Sequence, residues 1–350
     1  MNRFRENIER MEGYVPGFQP EDQTVVKLNT NENPYPPAPG VLEAVRNIGA
    51  EALRRYPPVL GDAFREAAAR LHGVESEMII CGNGGDELLA ILARCCCDVE
   101  RPLAYPWPTY SLYPVLAQIE GAPAAAVPWD NGYRLPGKLA SVGAGLTIVC
   151  NPNAPTGHLI EPEEIGGLAA RVGGVVAVDE AYVDFARDNC LRLLGRHENV
   201  VILRTLSKGY SLAGLRFGYA LGSKRIIDTM IKVKDSYNVD AVAQAAATAA
   251  IEDQGHFRAN VQKIVAERGR LSGALGQIGF DVPESETNFL LARIERPGAR
   301  QVYEQLVERK IYVRYFDQEQ LRDNLRITVG TAQQNDRLLG ALKDIVRQEA

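Results

Sequence analysis

Lys208 lies in the run "RTLSKGYSLAGLRFGYA", residues 204–220, after an apolar strand and just before a glycine turn. Most lysines are solvated at the surface, but a position between an apolar strand and a tight turn is hard to solvate. An amine taken out of water loses proton affinity and becomes a nucleophile. Thr205, Ser207 and Arg216 stand in the same run. Two hydroxyls and a guanidinium form a donor set suited to a phosphate. A nucleophilic amine beside an anion cradle suits, as one use, an aldehyde that also carries a phosphate.

Pyridoxal 5'-phosphate is such an aldehyde, and a Schiff base with Lys208 is the expected use of the amine. The group makes three further demands. Its phosphate needs more donors, and Gly84, Gly85 and Asp86 in "GNGGDE" occupy a strand-to-helix turn. Backbone N–H groups at such a helix start favour an anion. Its pyridine nitrogen needs a carboxylate, so that the protonated ring can take up electrons. Asp179, at the end of "VVAVD", is placed for that, although an aspartate there also serves as a helix cap or ion partner. Its ring hydroxyl needs donors, for which Asn151 and Tyr182 are candidates, and Tyr110 in "PWPTYSLYP" can stack on the ring face.

These residues are far apart in the chain, so the elements that carry them must bring them together. "TIVC", "VVAV" and "VVIL" are continuous apolar runs, the pattern of parallel strands covered on both faces. Each is followed by polar residues, and open α/β sheets bind ligands at the carboxyl ends of their strands. "PGVLEAVRNIGAEALRRY" reads as one helix ended by Pro57 and Pro58, "GDAFREAAARLHG" as another, and "EMIICGNGGDELLAILARCC" as strand, turn and helix. "RFGYALG" reads as a returning strand. Beyond residue 240, long helices alternate with the strands "NFLLARI", "IYVRYF" and "NLRITVG". The expected fold is α/β, with a mostly parallel, helix-flanked sheet in a large domain over residues 34–240. A smaller α+β domain is expected from residues 1–33 and 241–350.

Composition bounds the remaining classes. Hydrophobic residues make up 46% and charged residues 24%, enough for a sizeable core. A net charge of -5 without a long basic run argues against nucleic-acid binding. No apolar run approaches the length of a membrane span, and "MNRFRENIERMEGY" is charged where a secretion signal would be apolar. A cytoplasmic enzyme is the expectation. Cys95, Cys96 and Cys97 are consecutive, the four histidines are scattered, and no metal pattern is formed. The three cysteines are read as small apolar side chains closing a buried helix.

"NPNAPTG", "VDEAYVDF" and "TLSKGYSLAGLRFGYA" resemble the signature blocks of the fold-type I, aspartate-aminotransferase-like enzymes that use pyridoxal 5'-phosphate. "KLNTNENPYPP", "RRYP", "GNGGDE", "TYSLYPV", "KDSYNV" and "LRITVG" narrow the resemblance to the histidinol-phosphate aminotransferase family, over nearly the whole chain. The resemblance implies exchange of an amino group between histidinol phosphate and 2-oxoglutarate, in histidine biosynthesis. Threonine-phosphate decarboxylases and aromatic-amino-acid aminotransferases are close alternatives, and a non-catalytic regulator that binds the cofactor is a remote one. Position by position, it implies that Lys208 carries the cofactor and moves the proton, with Asp179 on the pyridine nitrogen and Asn151 and Tyr182 on the ring hydroxyl. It likewise implies Tyr110 on the ring face, and Gly84, Gly85, Asp86, Thr205, Ser207 and Arg216 around the phosphate. Tyr56 resembles the tyrosine that reaches into the neighbouring subunit's site, which implies a homodimer. Arg326 resembles the arginine that grips the substrate's anionic group, with Arg314 and Tyr14 as further substrate contacts. One departure is Ala154, where many relatives read Asn.

Overall fold

Residues 3–22 and 24–348 are described by the computed structural model of the chain; residues 1, 2, 23, 349 and 350 lie outside the described residues. The strands run in chain order as β1 (Val26–Lys27), β2 (Ile79–Gly82), β3 (Leu103–Trp107), β4 (Ala124–Pro128), β5 (Leu146–Cys150) and β6 (Val175–Asp179). They continue as β7 (Val200–Thr205), β8 (Gly218–Gly222), β9 (Phe289–Arg293), β10 (Ile311–Tyr312), β11 (Arg314–Tyr315) and β12 (Asn324–Thr328).

Seven of them form one sheet in the order β2-β8-β7-β6-β5-β3-β4. Neighbours pair in parallel except β8, which runs against both β7 and β2. The apolar runs sit where covered parallel strands belong: every residue of β5 is buried, as are four of five in β6. Side chains alternate between the two faces. Ile148 and Cys150 join one apolar cluster with the helix Gly85–Cys96, while Val149 joins another with the helix Pro162–Ala169. Cys96 and Cys97 pack into the first of these clusters, as their reading as small apolar groups expects.

The C-terminal part builds a second layer. β11, β12 and β9 form an antiparallel sheet, and β1 pairs in parallel with β10. Val26 and Leu28 share an apolar cluster with residues from Leu271 to Ile345, so the N-terminal segment packs with this layer. The helix Ala241–Glu252, just beyond the expected boundary at 240, instead contributes Ala243, Ala246 and Ala247 to the cluster around Phe64 and Tyr219.

Two expected elements differ. The single helix over "PGVLEAVRNIGAEALRRY" is two, Pro39–Arg46 and Ala50–Arg54. Asn47 closes the first with a bond to the Glu43 carbonyl, and extended Gly49 starts the second. "IYVRYF" is not one strand: β10 bonds toward the N-terminal segment and β11 toward β12, with Val313 buried between them. β3 and β4 come from segments whose short apolar stretches, broken by proline, gave no strand pattern in sequence.

Phe64 is fully buried and packs on Phe217 and Tyr219, with ring centroids 4.5 and 5.2 Å away. Phe64→Ala is expected to lower the unfolding free energy by about 3–5 kcal/mol, read from urea denaturation of purified protein.

Candidate active site

The order of the sheet reverses between β3 and β5, since β4 lies outside β3 and the chain then returns to the other side. That reversal opens a crevice at the carboxyl ends of the strands. A cavity of about 780 Å³ occupies it, lined by Trp107, Cys150, Asp179 and Thr205 from the ends of β3, β5, β6 and β7. Tyr14, Gly85, Asp86, Tyr110, Tyr182, Ser207, Lys208, Arg216, Arg314 and Arg326 also line it. Residues expected from sequence at widely separated positions therefore meet in one place.

Lys208 directs its Nζ to the Thr30 carbonyl at 3.4 Å and lies 5.5 Å from the centre of the Tyr182 ring. Loss of solvent, then the nearby Arg326 charge, lowers its pKa to about 8. Its backbone is held from the N-terminal segment, where the Asn33 side-chain amide donates to the carbonyls of Lys208 and Gly209, both at 3.1 Å. Tyr182 is buried, which raises its phenol to about 12 and keeps it a donor. Its oxygen accepts from Asn31 Nδ2 at 2.9 Å, leaving the phenol proton for an acceptor in the cavity.

Asp179 is 6% exposed and has no cationic partner among the described residues. Its Oδ2 accepts from Tyr113 Oη at 2.7 Å and its Oδ1 from the Ala181 N–H at 3.1 Å. Burial raises its pKa to about 6 despite both donors. A carboxylate so placed gains most from a cation arriving in the cavity.

The anion cradle is assembled from the strand end and the helix start. Thr205 Oγ1 meets Ser207 Oγ at 2.9 Å and accepts from the Ser207 N–H at 3.1 Å. Arg216 reaches Ser207 Oγ at 3.5 Å and Asp86 Oδ2 at 3.4 Å, both at the edge of bonding distance. Gly84 stands behind this group and is absent from the cavity wall. Its φ is +89°, and a Cβ there would come 2.7 Å from Arg216 Nη2, so glycine is what admits the guanidinium. A Cβ at Gly218 would lie 2.8 Å from the backbone of Gly84 and Gly85, pushing the helix start away.

Also on the cavity wall, Arg314 and Arg326 are directly opposite each other across β11 and β12. Residues paired this way share a face of the sheet. Burial, with the Arg314 charge adding to it, lowers the Arg326 pKa. Arg326 donates from Nη2 to the Asn29 carbonyl at 3.0 Å, while its buried Nε has no partner among the described residues. Two cations facing one cavity with a buried donor unused make an anion site. Tyr14 borders it, edge-on to Tyr110 with ring centroids 5.7 Å apart.

One expected contact is overturned. Asn151 is fully buried and absent from the cavity wall. Its amide closes a pair of bonds with the backbone of Ile160, donating at 3.0 Å and accepting at 2.8 Å. Its amide nitrogen also meets Cys190 Sγ at 3.6 Å, so it staples the returning loop and presents no donor to the cavity. Ala154 and Pro155 face the cavity instead. Tyr56 is 78% exposed, stacked on Tyr237 with centroids 4.2 Å apart, and outside its own chain's cavity. Sequence reasoning missed Tyr113, Asn31 and Asn33, although all three stand inside quoted motifs whose other residues received roles.

The model of the aminotransferase class I and II family matches residues 23–342. The chain belongs to this family. It is similar to histidinol-phosphate aminotransferase 1 of Trichormus variabilis, with 47% identity over 348 residues and 99% of each chain covered. The enzyme of the same name from Nostoc sp. is 48% identical over 347 residues, covering 99% of this chain and 98% of its own. Among solved structures, histidinol-phosphate aminotransferase from Sinorhizobium meliloti in complex with pyridoxal-5'-phosphate superposes with a TM-score of 0.91 at 26% identity. That comparison covers 100% of this chain and 99% of the other.

An acid whose proton affinity rises on folding favours the folded state while protonated and loses that contribution as it ionises. For Asp179 the contribution is complete below its ordinary 3.8 and is lost as pH rises through about 6. In ligand-free protein, Asp179→Asn is expected to raise the unfolding free energy by about 1–3 kcal/mol near pH 7.5. A smaller gain, about 1 kcal/mol, is expected near pH 4.5; urea titrations at the two pH values read the difference.

Proposed function

We propose that this chain is a pyridoxal 5'-phosphate-dependent transaminase that interconverts histidinol phosphate and 2-oxoglutarate with imidazole-acetol phosphate and glutamate, in histidine biosynthesis. The observation that carries the reading is one cavity holding three unpaired chemical demands. These are an amine with a pKa of about 8, a carboxylate without a cation, and two arginines without an anion. The full-length similarity to histidinol-phosphate aminotransferases supports the substrate class.

The residues present fit the cofactor. Lys208 would supply the amine, Asp179 would balance the ring nitrogen, and Tyr182 would offer its phenol proton to the ring hydroxyl. Tyr110 would pack against the ring. Thr205, Ser207, Arg216 and the backbone N–H groups of Gly85 and Asp86 would hold the phosphate. When bound, the cofactor supplies a carbonyl for imine exchange and a ring that accepts the electron pair of the substrate's C–H bond. Near its pKa Lys208 is a competent base, and its Nζ takes the proton from the amine-bearing carbon and holds it for return. Arg326 and Arg314 orient the substrate by its anionic end. A guanidinium fork accepts a phosphate ester in one half-reaction and a carboxylate in the other, so one site serves both substrates.

The protein acts as a homodimer in which Tyr56 completes the neighbouring site. Its exposure, its stacking on Tyr237, and the exposed Leu42, Leu53 and Val59 on the same segment support this arrangement.

The direct test is an absorbance spectrum of the purified holoenzyme before and after histidinol phosphate is added. The band of a lysine-linked cofactor is expected to bleach, and 2-oxoglutarate to restore it. Lys208→Ala should remove that band and lower turnover at least about a thousandfold; an unchanged spectrum in this variant contradicts the assignment. The shared site is tested by subunit exchange between Tyr56→Ala and Lys208→Ala chains. Each heterodimer then holds one complete site, so about a quarter of wild-type activity is expected to return. No recovery from the mixture removes the role of Tyr56 across the interface.

A further inference from the structure

Tyr113 is fully buried in the first turn of the helix Leu112–Glu120, behind the cavity wall. Its hydroxyl donates to Asp179 Oδ2 at 2.7 Å, while the Ala181 N–H takes Oδ1. Each carboxylate oxygen thus has one protein donor and keeps acceptor capacity toward the cavity. The ring of Tyr113 stands edge-on to Tyr110, with centroids 5.7 Å apart and planes at 88°. One side chain therefore supports both the carboxylate and the aromatic wall. Burial drives the phenol's own pKa well above its ordinary value, so it remains a donor across the working range.

We propose that Tyr113 is a positioning residue that keeps Asp179 ionised and aimed into the cavity, and through it sets the affinity for a protonated heterocycle. This rests on the reading of the cavity as a pyridoxal 5'-phosphate site. Of the other groups that bear on Asp179, the Ala181 N–H also favours the anion, but it is a backbone donor that side-chain variants leave in place. Asp86 and Glu180 are acidic and push its proton affinity up, as burial does. Cys150, whose thiol lies beside Tyr113 and Asp179, is raised beyond the range in which it carries charge near neutrality. The side-chain donor that favours the anion is the Tyr113 hydroxyl. With Asp179 already near 6, losing that donor moves the carboxyl into its neutral form around pH 7, where it no longer balances a ring cation.

The experiment measures the dissociation constant of pyridoxal 5'-phosphate from wild type, Tyr113→Phe, Asp179→Asn and the double variant, near pH 7 and pH 9. Phe keeps the contacts with Tyr110 and removes only the hydroxyl. Tyr113→Phe is expected to weaken binding about tenfold near pH 7 and by less than about twofold near pH 9, where the carboxyl ionises unaided. In the Asp179→Asn background it is expected to add less than about twofold at either pH. Equal weakening at both pH values, equal weakening without the carboxylate, or no weakening overturns the proposal. If Tyr113→Phe does not fold, 3-fluorotyrosine at position 113 provides a stronger donor. It should tighten binding near pH 6, and unchanged or weaker binding overturns the proposal. A wild-type chain that binds no pyridoxal 5'-phosphate overturns this inference together with the reading it rests on; failure of the variants alone leaves that reading standing.

Discussion

The fold holds several charges out of water without letting them neutralise one another. Among the described residues, Asp179 has only neutral donors, Arg326 and Arg314 face each other with like charge, and the Lys208 amine bonds only to a carbonyl. In a low-dielectric cleft such groups are costly until a ligand of the opposite pattern arrives. A zwitterionic ring with a phosphate, followed by an anionic substrate, has that pattern. The parallel sheet makes the arrangement possible, because its strand ends deliver polar residues to one crevice while their apolar bodies stay buried.

Charges behind the crevice are treated differently. Glu180 is 1% exposed and meets Arg204 through two bonds of 2.8 and 2.9 Å, with the Cys190 N–H on its other oxygen. That pair is fully satisfied and serves to lock β6 to β7. Asp179, one residue earlier, is left for a ligand. Neighbouring acids in "VDEAY" thus have opposite roles because strand alternation sends them to opposite faces. The same economy appears in Asn151, which spends its amide on Ile160 so that Ala154 and Pro155 can form a smooth wall. Tyr182 then presents its phenol to the cavity on that side, with Asn31 holding it in place.

Much of this was determined by the sequence itself. Continuous apolar runs specify covered parallel strands, and the polar residues after them specify where a ligand lies, because burial and backbone hydrogen bonding leave few other options. Hence the meeting of Lys208, Asp179 and Tyr182 at one crevice was legible before any coordinates, whereas Arg326 was expected there only from the resemblance of "LRITVG". What only the tertiary structure decided is the direction of side chains in loops and the partners they find across the chain. Asn151 and Ala154 are three residues apart in one irregular turn, where no period fixes which faces inward. Tyr113 looks like any core tyrosine until Asp179, 66 residues away, is brought to its hydroxyl. A strand or helix carries its pattern along the chain, whereas a hydrogen bond between distant residues has no local signature.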